Sequence, residues 1–192
     1  MRLTREEAWE LLNEYNKSDA LIKHGLTVEG VMRHFAKLNG EDVEKWGIVG
    51  LIHDLDYEMY PDEHCSKSAE IMNERGIDED YIHAVCSHGW GLCSDVEPTE
   101  YMEKVLYTID ELTGLITAAC IMRPSKSVLD IEVKSVKKKY KTHSFAAGVN
   151  REVIEKGCEM INMSLDDVIK ETILGMRECA EAIGLKGDVS GE

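Results

Sequence analysis

The sequence predicts an all-α fold, and three observations predict it. Only three prolines, Pro61, Pro98 and Pro124, interrupt the 192 residues. Between the loops, apolar residues recur at spacings of three and four instead of alternating, which is the period of a helix face and not of a strand. The segment ends carry helix punctuation: a capping box Thr4-x-x-Glu7 at the start of the chain, and glycines at 76 and 89 where apolar periods stop.

Taken in order, the first helix begins at Thr4 and a second spans about 18–38. "NGED" turns the chain. A third helix covers about 42–55, a fourth about 63–75 and a fifth about 78–88. After "GWGLCSDVEP" a long helix at about 99–122 carries apolar residues nearly all round (Val105, Leu106, Ile109, Leu112, Leu115, Ile116, Ala119), so it belongs at the centre of the bundle. "RPSK" ends it, and helices follow at about 131–141, 151–161 and 165–183, the last capped by Ser164. No repeat, low-complexity segment or domain boundary is evident, so 1–192 reads as one domain.

Composition narrows the partners. Lys and Arg number 22 against 37 Asp and Glu, a net charge of −15, which argues against nucleic acid and anionic membranes as partners. The N-terminus lacks the apolar stretch of a signal peptide and no run is long enough to span a bilayer, so a cytoplasmic location is expected. The six cysteines lack CxxC spacing and are expected to be reduced; Cys86 and Cys93 in "CSHGWGLC" are a weak metal signal.

The sharper signal is "GLIHDLDYEMYPDEHC", residues 50–65, where an apolar run leads into the pair His53-Asp54. Burying imidazole and carboxylate without partners costs several kcal/mol, so such a pair is paired, exposed or bound. Periodicity sorts the seven histidines. On the second helix His24, Val28, Val31, Phe35 and Leu38 form one apolar stripe, whereas His34 shares a polar face with Thr27, Gly30 and Lys37 and is expected to be solvated. His53 continues the face of Trp46 and Val49, and Asp54 that of Gly47 and Gly50, two glycines that let another backbone approach. With Gly40 as the turn of an antiparallel hairpin, His24 stands about 24 Å up one helix, His53 about 20 Å up the other and His34 only about 9 Å up. His24 is therefore level with the His-Asp pair.

On the fifth helix His88 shares the face of Tyr81, Ala84 and Val85, while His83 lies on an acidic side with Glu79 and Asp80. Asp110 sits on the buried long helix among Leu106, Thr113, Gly114 and Thr117 and needs a cation. His64, one and two turns before Ser68 and Ile71, can also face inward. Imidazole nitrogen with carboxylate oxygen suits Mn, Fe, Co, Ni or Zn, and the lack of a thiolate speaks against a structural cysteine-type zinc site.

The order His24…His53-Asp54…His88…Asp110 on consecutive helices resembles the HD-domain superfamily of metal-dependent phosphohydrolases, over about 18–122, with 123–192 as a C-terminal helical extension. The resemblance implies that His24, His53, Asp54 and Asp110 hold one divalent metal. It further implies that His64 and His88, in "DEHCSKSAEIM" and "HAVCSHG", complete a binuclear centre with Asp54 as the bridging, catalytic carboxylate. The family often follows His-Asp with a small residue and then lysine; this chain reads "HDLDYE", and no catalytic ammonium carries over.

Residues 123–141, "RPSKSVLDIEVKSVKKKYK", hold seven basic and two acidic residues, so Arg123, Lys126, Lys134 and Lys138 are candidates to meet a substrate phosphate, against a solvated basic face. The expected activity is hydrolysis of a phosphate ester or anhydride on a small, anionic, nucleotide-like substrate by a metal-activated water. The alternatives are a di-iron oxygenase of the inositol-oxygenase kind, which shares the six-ligand pattern, and a non-catalytic metal- or nucleotide-binding module.

Overall fold

The computed structural model describes residues 1–189. Among these the chain is all-helical: α1 (Arg5–Tyr15), α2 (Asp19–Asn39), α3 (Val43–Ile52), α4 (Ser66–Glu74), α5 (Glu79–Ser87), α6 (Tyr101–Ile121), α7 (Val133–Tyr140), α8 (Arg151–Met160) and α9 (Leu165–Glu178). No described helix is long and apolar enough to cross a membrane.

The caps act where the residue types predict them. Thr4 accepts from the Glu7 N–H while Glu7 reaches back to the Thr4 N–H, and Ser164 Oγ accepts from the Asp167 N–H at 3.1 Å. Gly40 closes α2 in the left-handed region (φ 70°), donating to Ala36 and Lys37 carbonyls, a conformation that glycine adopts without steric cost. That closure fixes the α2–α3 hairpin.

α6 is the central helix: Leu106, Ile109, Leu112, Leu115 and Ile116 are fully buried. α2 packs most extensively on α3, and α9 covers another side of α2. The α2–α3 contact is close because Gly50 has no side chain. A Cβ there would lie 2.9 Å from the Val28 carbonyl oxygen and 2.9 Å from Met32 Cγ. Backbone cannot yield as a flexible side chain can, so Gly50→Val is expected to lower unfolding free energy by about 3 kcal/mol, in the upper part of the range for overpacked cores. Urea denaturation measures this, and a loss under about 1 kcal/mol would mean that the hairpin tolerates spreading.

Several helices are shorter than their apolar periods suggest. α3 stops at Ile52, and 53–59 continue as turns, so the His-Asp pair lies just past a helix end. α4 starts only at Ser66, which places His64 in a non-helical conformation (φ −53°, ψ 140°) between the short 3-10 turn Pro61–Glu63 and the helix. α9 ends at Glu178. The chain then folds back on the loop after α6, with the Val128 N–H donating to the Leu185 carbonyl at 2.9 Å and Ser127 Oγ to the Lys186 carbonyl at 2.6 Å. Arg151 organises the 141–149 loop without forming an ion pair there. Its guanidinium donates to the carbonyls of Tyr140, Thr142, Phe145, Ala146 and Val149, and so holds Val149 against the site described next.

Candidate metal centre

Six side chains from five places in the chain converge: His24 from α2, His53 and Asp54 after α3, His64 before α4, His88 at the end of α5 and Asp110 from α6. Their donor atoms form two sets. In the first, His24 Nε2 lies 3.1 Å from His53 Nε2, 3.0 Å from Asp110 Oδ1 and 3.4 Å from Asp54 Oδ2, and His53 Nε2 is 3.3 Å from Asp110 Oδ1 and 3.4 Å from Asp54 Oδ2. In the second, His64 Nε2 and His88 Nε2 are 3.2 Å apart and each is 3.3 Å from Asp54 Oδ1. Asp54 thus gives one oxygen to each set.

Hydrogen bonds behind the rings decide what the front nitrogens offer. His53 Nδ1 donates to the Gly50 carbonyl at 2.7 Å, His88 Nδ1 to the Val85 carbonyl, and His64 Nδ1 to Asp56 Oδ1 at 2.7 Å. Each bond places that ring's proton on Nδ1 and leaves an Nε2 lone pair facing the centre. Lone pairs of His64, His88 and Asp54 Oδ1 therefore meet with no donor among them unless a cation, a proton or a metal ion, lies between. The donor set fits a metal, in three overlapping groups: His24, His53 and Asp110; His53, Asp54 and His88; and His64, Cys65 and His88.

Electrostatics agree. Burial lowers the pKa of His24, but hydrogen bonds to Asp110 and Asp54 outweigh it and push it up to about 9. His64 is likewise lowered by burial and raised by Asp54 and Asp56, to about 10. Burial raises the carboxyls of Asp54 and Asp110, yet the imidazoles, His53 foremost, hold both well below the usual carboxylate range. Without a metal the site retains protons, so metal uptake near pH 7 displaces them and apparent affinity rises as pH approaches 9 to 10. Calorimetric titration of Mn²⁺ in two buffers of different ionisation enthalpy is expected to register proton release at pH 7. Buffer-independent heats would contradict it.

Two residues that lie outside any helical period support the site. Asp56 is fully buried; besides His64 it accepts from the Ser68 N–H at 2.8 Å, which ties His64 to the start of α4. Cys65, next to His64, is buried in the left-handed region (φ 69°), with its sulfur within 4.8 Å of ligand atoms of His64 and His88. Its neighbour is Cys93, at 3.4 Å between sulfurs, whereas Cys86 reaches only the Cys65 carbonyl. A thiol therefore stands beside the second set, and it is that of Cys65; of the Cys86 and Cys93 pair that gives the weak metal signal, Cys93 reaches it only through the Cys65 sulfur.

Two of the three remaining histidines, His34 and His83, are paired elsewhere. His34 is not solvated: its ring is held between Glu171 and Glu178 of α9, at 2.7 and 2.8 Å, because α9 covers that polar face of α2. His83 bonds Glu103 at 2.7 Å, near the start of α6. His24→Ala is expected to lower bound metal at least tenfold, while His34→Ala leaves metal unchanged and costs about 1 kcal/mol of stability through two lost charged hydrogen bonds. Metal analysis after dialysis, with thermal denaturation, checks both halves; metal loss in His34→Ala alone would mean that the other face of α2 serves the metal.

The cavity above the site has a volume of about 390 Å³. His24, Asp54, His64, His88 and Asp110 form its floor; Tyr57, Leu92, Tyr107, Glu111, Val149 and Val153 are among its walls. Glu111 accepts from the Asn150 N–H at 3.0 Å, tying the Val149 loop to α6. The basic segment lies elsewhere. Arg123 bonds the Asp130 carboxylate at 2.9 Å and its carbonyl at 3.2 Å, and Lys126, Lys134 and Lys138 are exposed and absent from the cavity lining.

The fold and the site together define an all-α protein with a histidine-aspartate cluster able to hold metal. Comparison with family models, curated proteins and solved structures finds no match to this chain.

Proposed function

We propose that this chain is a metal-dependent phosphohydrolase that uses two divalent transition-metal ions to cleave a phosphate ester or anhydride of a small molecule. One observation carries the reading: the two oxygens of Asp54 face different imidazole pairs, Oδ2 toward His24 and His53 at 3.4 Å and Oδ1 toward His64 and His88 at 3.3 Å. His24, His53 and Asp110 would hold one ion, His64 and His88 the other, with Asp54 between them. When bound, such a pair supplies Lewis acidity and lowers the pKa of a water molecule toward neutrality. The chain's own part is to fix the ring tautomers through Gly50, Val85 and Asp56, to supply the two aspartate charges, and to enclose the reacting group in a cavity of about 390 Å³.

The test is reconstitution. Protein stripped with a chelator and reloaded with Mn, Fe, Co, Ni or Zn is assayed for phosphate release from a panel of phosphate esters and anhydrides. Release with at least one metal, and none from stripped protein, is expected. No release with any metal would overturn the reading, and an iron-loaded protein with a substrate-responsive mixed-valence signal would place it among oxygenases instead.

A further inference from the structure

The walls of the cavity say more about the ligand than its floor does. No Lys or Arg lines it, although the chain has 22 such residues. Lys156, on the same helix as Val153, is spent on the face of Trp90, with Nζ 3.5 Å from the ring centroid. The charges that do line the cavity besides the histidines are Asp54, Asp110 and Glu111. The cations that would neutralise a phosphate are therefore confined to the metal-bearing floor, and a second phosphate on the same ligand would lie against walls that offer it no Lys or Arg.

The rest of the wall is apolar. Tyr107 and Val153 are buried and line the cavity, and Val149 is held in place by the Arg151 hydrogen bonds. Tyr57 and Leu92 stand at the cavity 45% and 56% exposed, large apolar side chains left in water where a ligand would cover them. At about 390 Å³ the space is near the small end of ligand sites, which run from about 300 to 1,000 Å³.

Building on the phosphohydrolase reading, we infer that the site takes a phosphate monoester of a small uncharged alcohol with an aromatic or aliphatic body, and that it discriminates against ligands carrying a second phosphate. The metal-bearing floor receives the single phosphate. Tyr57, Leu92, Tyr107, Val149 and Val153 receive the organic body.

Calorimetric binding to Mn-loaded protein tests this with three non-hydrolysed or weakly chelating probes, the metal content being checked after each titration. Phenylphosphonate is expected to bind at least tenfold tighter than methylphosphonate, since a ring buried on apolar walls gains well over a factor of ten. Benzene-1,4-diphosphonate, a bisphosphate analogue with the same ring and no hydrolysable bond, is expected to bind at least tenfold more weakly than phenylphosphonate. Leu92→Arg, which adds a cation at an exposed position, is expected to raise affinity for the diphosphonate about tenfold. Tighter binding of the diphosphonate than of phenylphosphonate by the wild type, equal binding of phenylphosphonate and methylphosphonate, or no binding of any probe would overturn the inference. Phenylphosphonate preference without phosphate release from phenyl phosphate would sink the hydrolase reading and leave the cavity assignment standing; phosphate release with a diphosphonate preference would do the reverse.

Discussion

Asp54→Ala is expected to abolish phosphate release and to strip the protein of tightly bound divalent metal. The carboxylate is the one group shared by both sets, 3.4 Å from His24 and His53 through Oδ2 and 3.3 Å from His64 and His88 through Oδ1. Without it the second set is reduced to two imidazoles with no negative charge between them, a poor divalent site. The first set keeps His24, His53 and Asp110 but loses one of its two anions, so its affinity is expected to fall by at least tenfold to a hundredfold. The protein should still fold: the apolar core of α3 ends at Ile52, and removing a carboxylate lets the nearby imidazoles discharge their protons instead of leaving a bare buried charge. Circular dichroism separates loss of metal from loss of fold, and Asp54→Asn, which keeps the shape without the charge, repeats the test with less disturbance. Wild-type metal content in Asp54→Ala would remove Asp54 from the centre.

What the sequence makes legible follows from what is local. The level match between His24 and His53, 3.1 Å apart at their nitrogens, needs only helix rise and a two-helix hairpin closed at Gly40. Asp110 is legible because a carboxylate on a helix that is apolar nearly all round must meet a cation or bear the cost of burial. His34 shows where periodicity stops. Its face is polar, but a polar face can be buried by a helix distant in sequence that brings its own polar partners, here Glu171 and Glu178. Asp56 has no period to betray it, since turn residues 53–59 obey no repeat, and only the fold decides which of them points inward. The basic run after α6 suggests a phosphate contact from charge alone. The loop there is instead held by backbone bonds from remote residues, with Arg177 donating to the Val128 and Ile131 carbonyls and Arg123 neutralised by Asp130. Charge reversal at Lys126 or Lys134 therefore addresses exposed positions outside the cavity.

Removing His64 is expected to take one ion and leave the other. The second set consists of His64, His88 and an oxygen of Asp54, with the Cys65 thiol beside it, so His64→Ala leaves one imidazole and one carboxylate oxygen and its ion should be lost, whereas His24, His53, Asp110 and Asp54 still surround the first. Metal content saturated with Mn²⁺ should fall from two ions per chain to one. Asp56→Asn grades the same effect, because Asp56 does not face the ion position but holds the His64 ring by Nδ1 at 2.7 Å and the Ser68 N–H at 2.8 Å. An amide can still accept one of these bonds but no longer strengthens the imidazole as a donor, so the second ion should bind about 10- to 100-fold more weakly with the first unaffected. The pair of variants distinguishes a ligand from the residue that aims it: His64→Ala removes the site, Asp56→Asn weakens it, and excess metal rescues only the latter. Wild-type protein that saturates with one ion, and keeps it when His64 is replaced, would make the cluster mononuclear. Asp54 would then turn one oxygen toward two imidazoles that share only a proton.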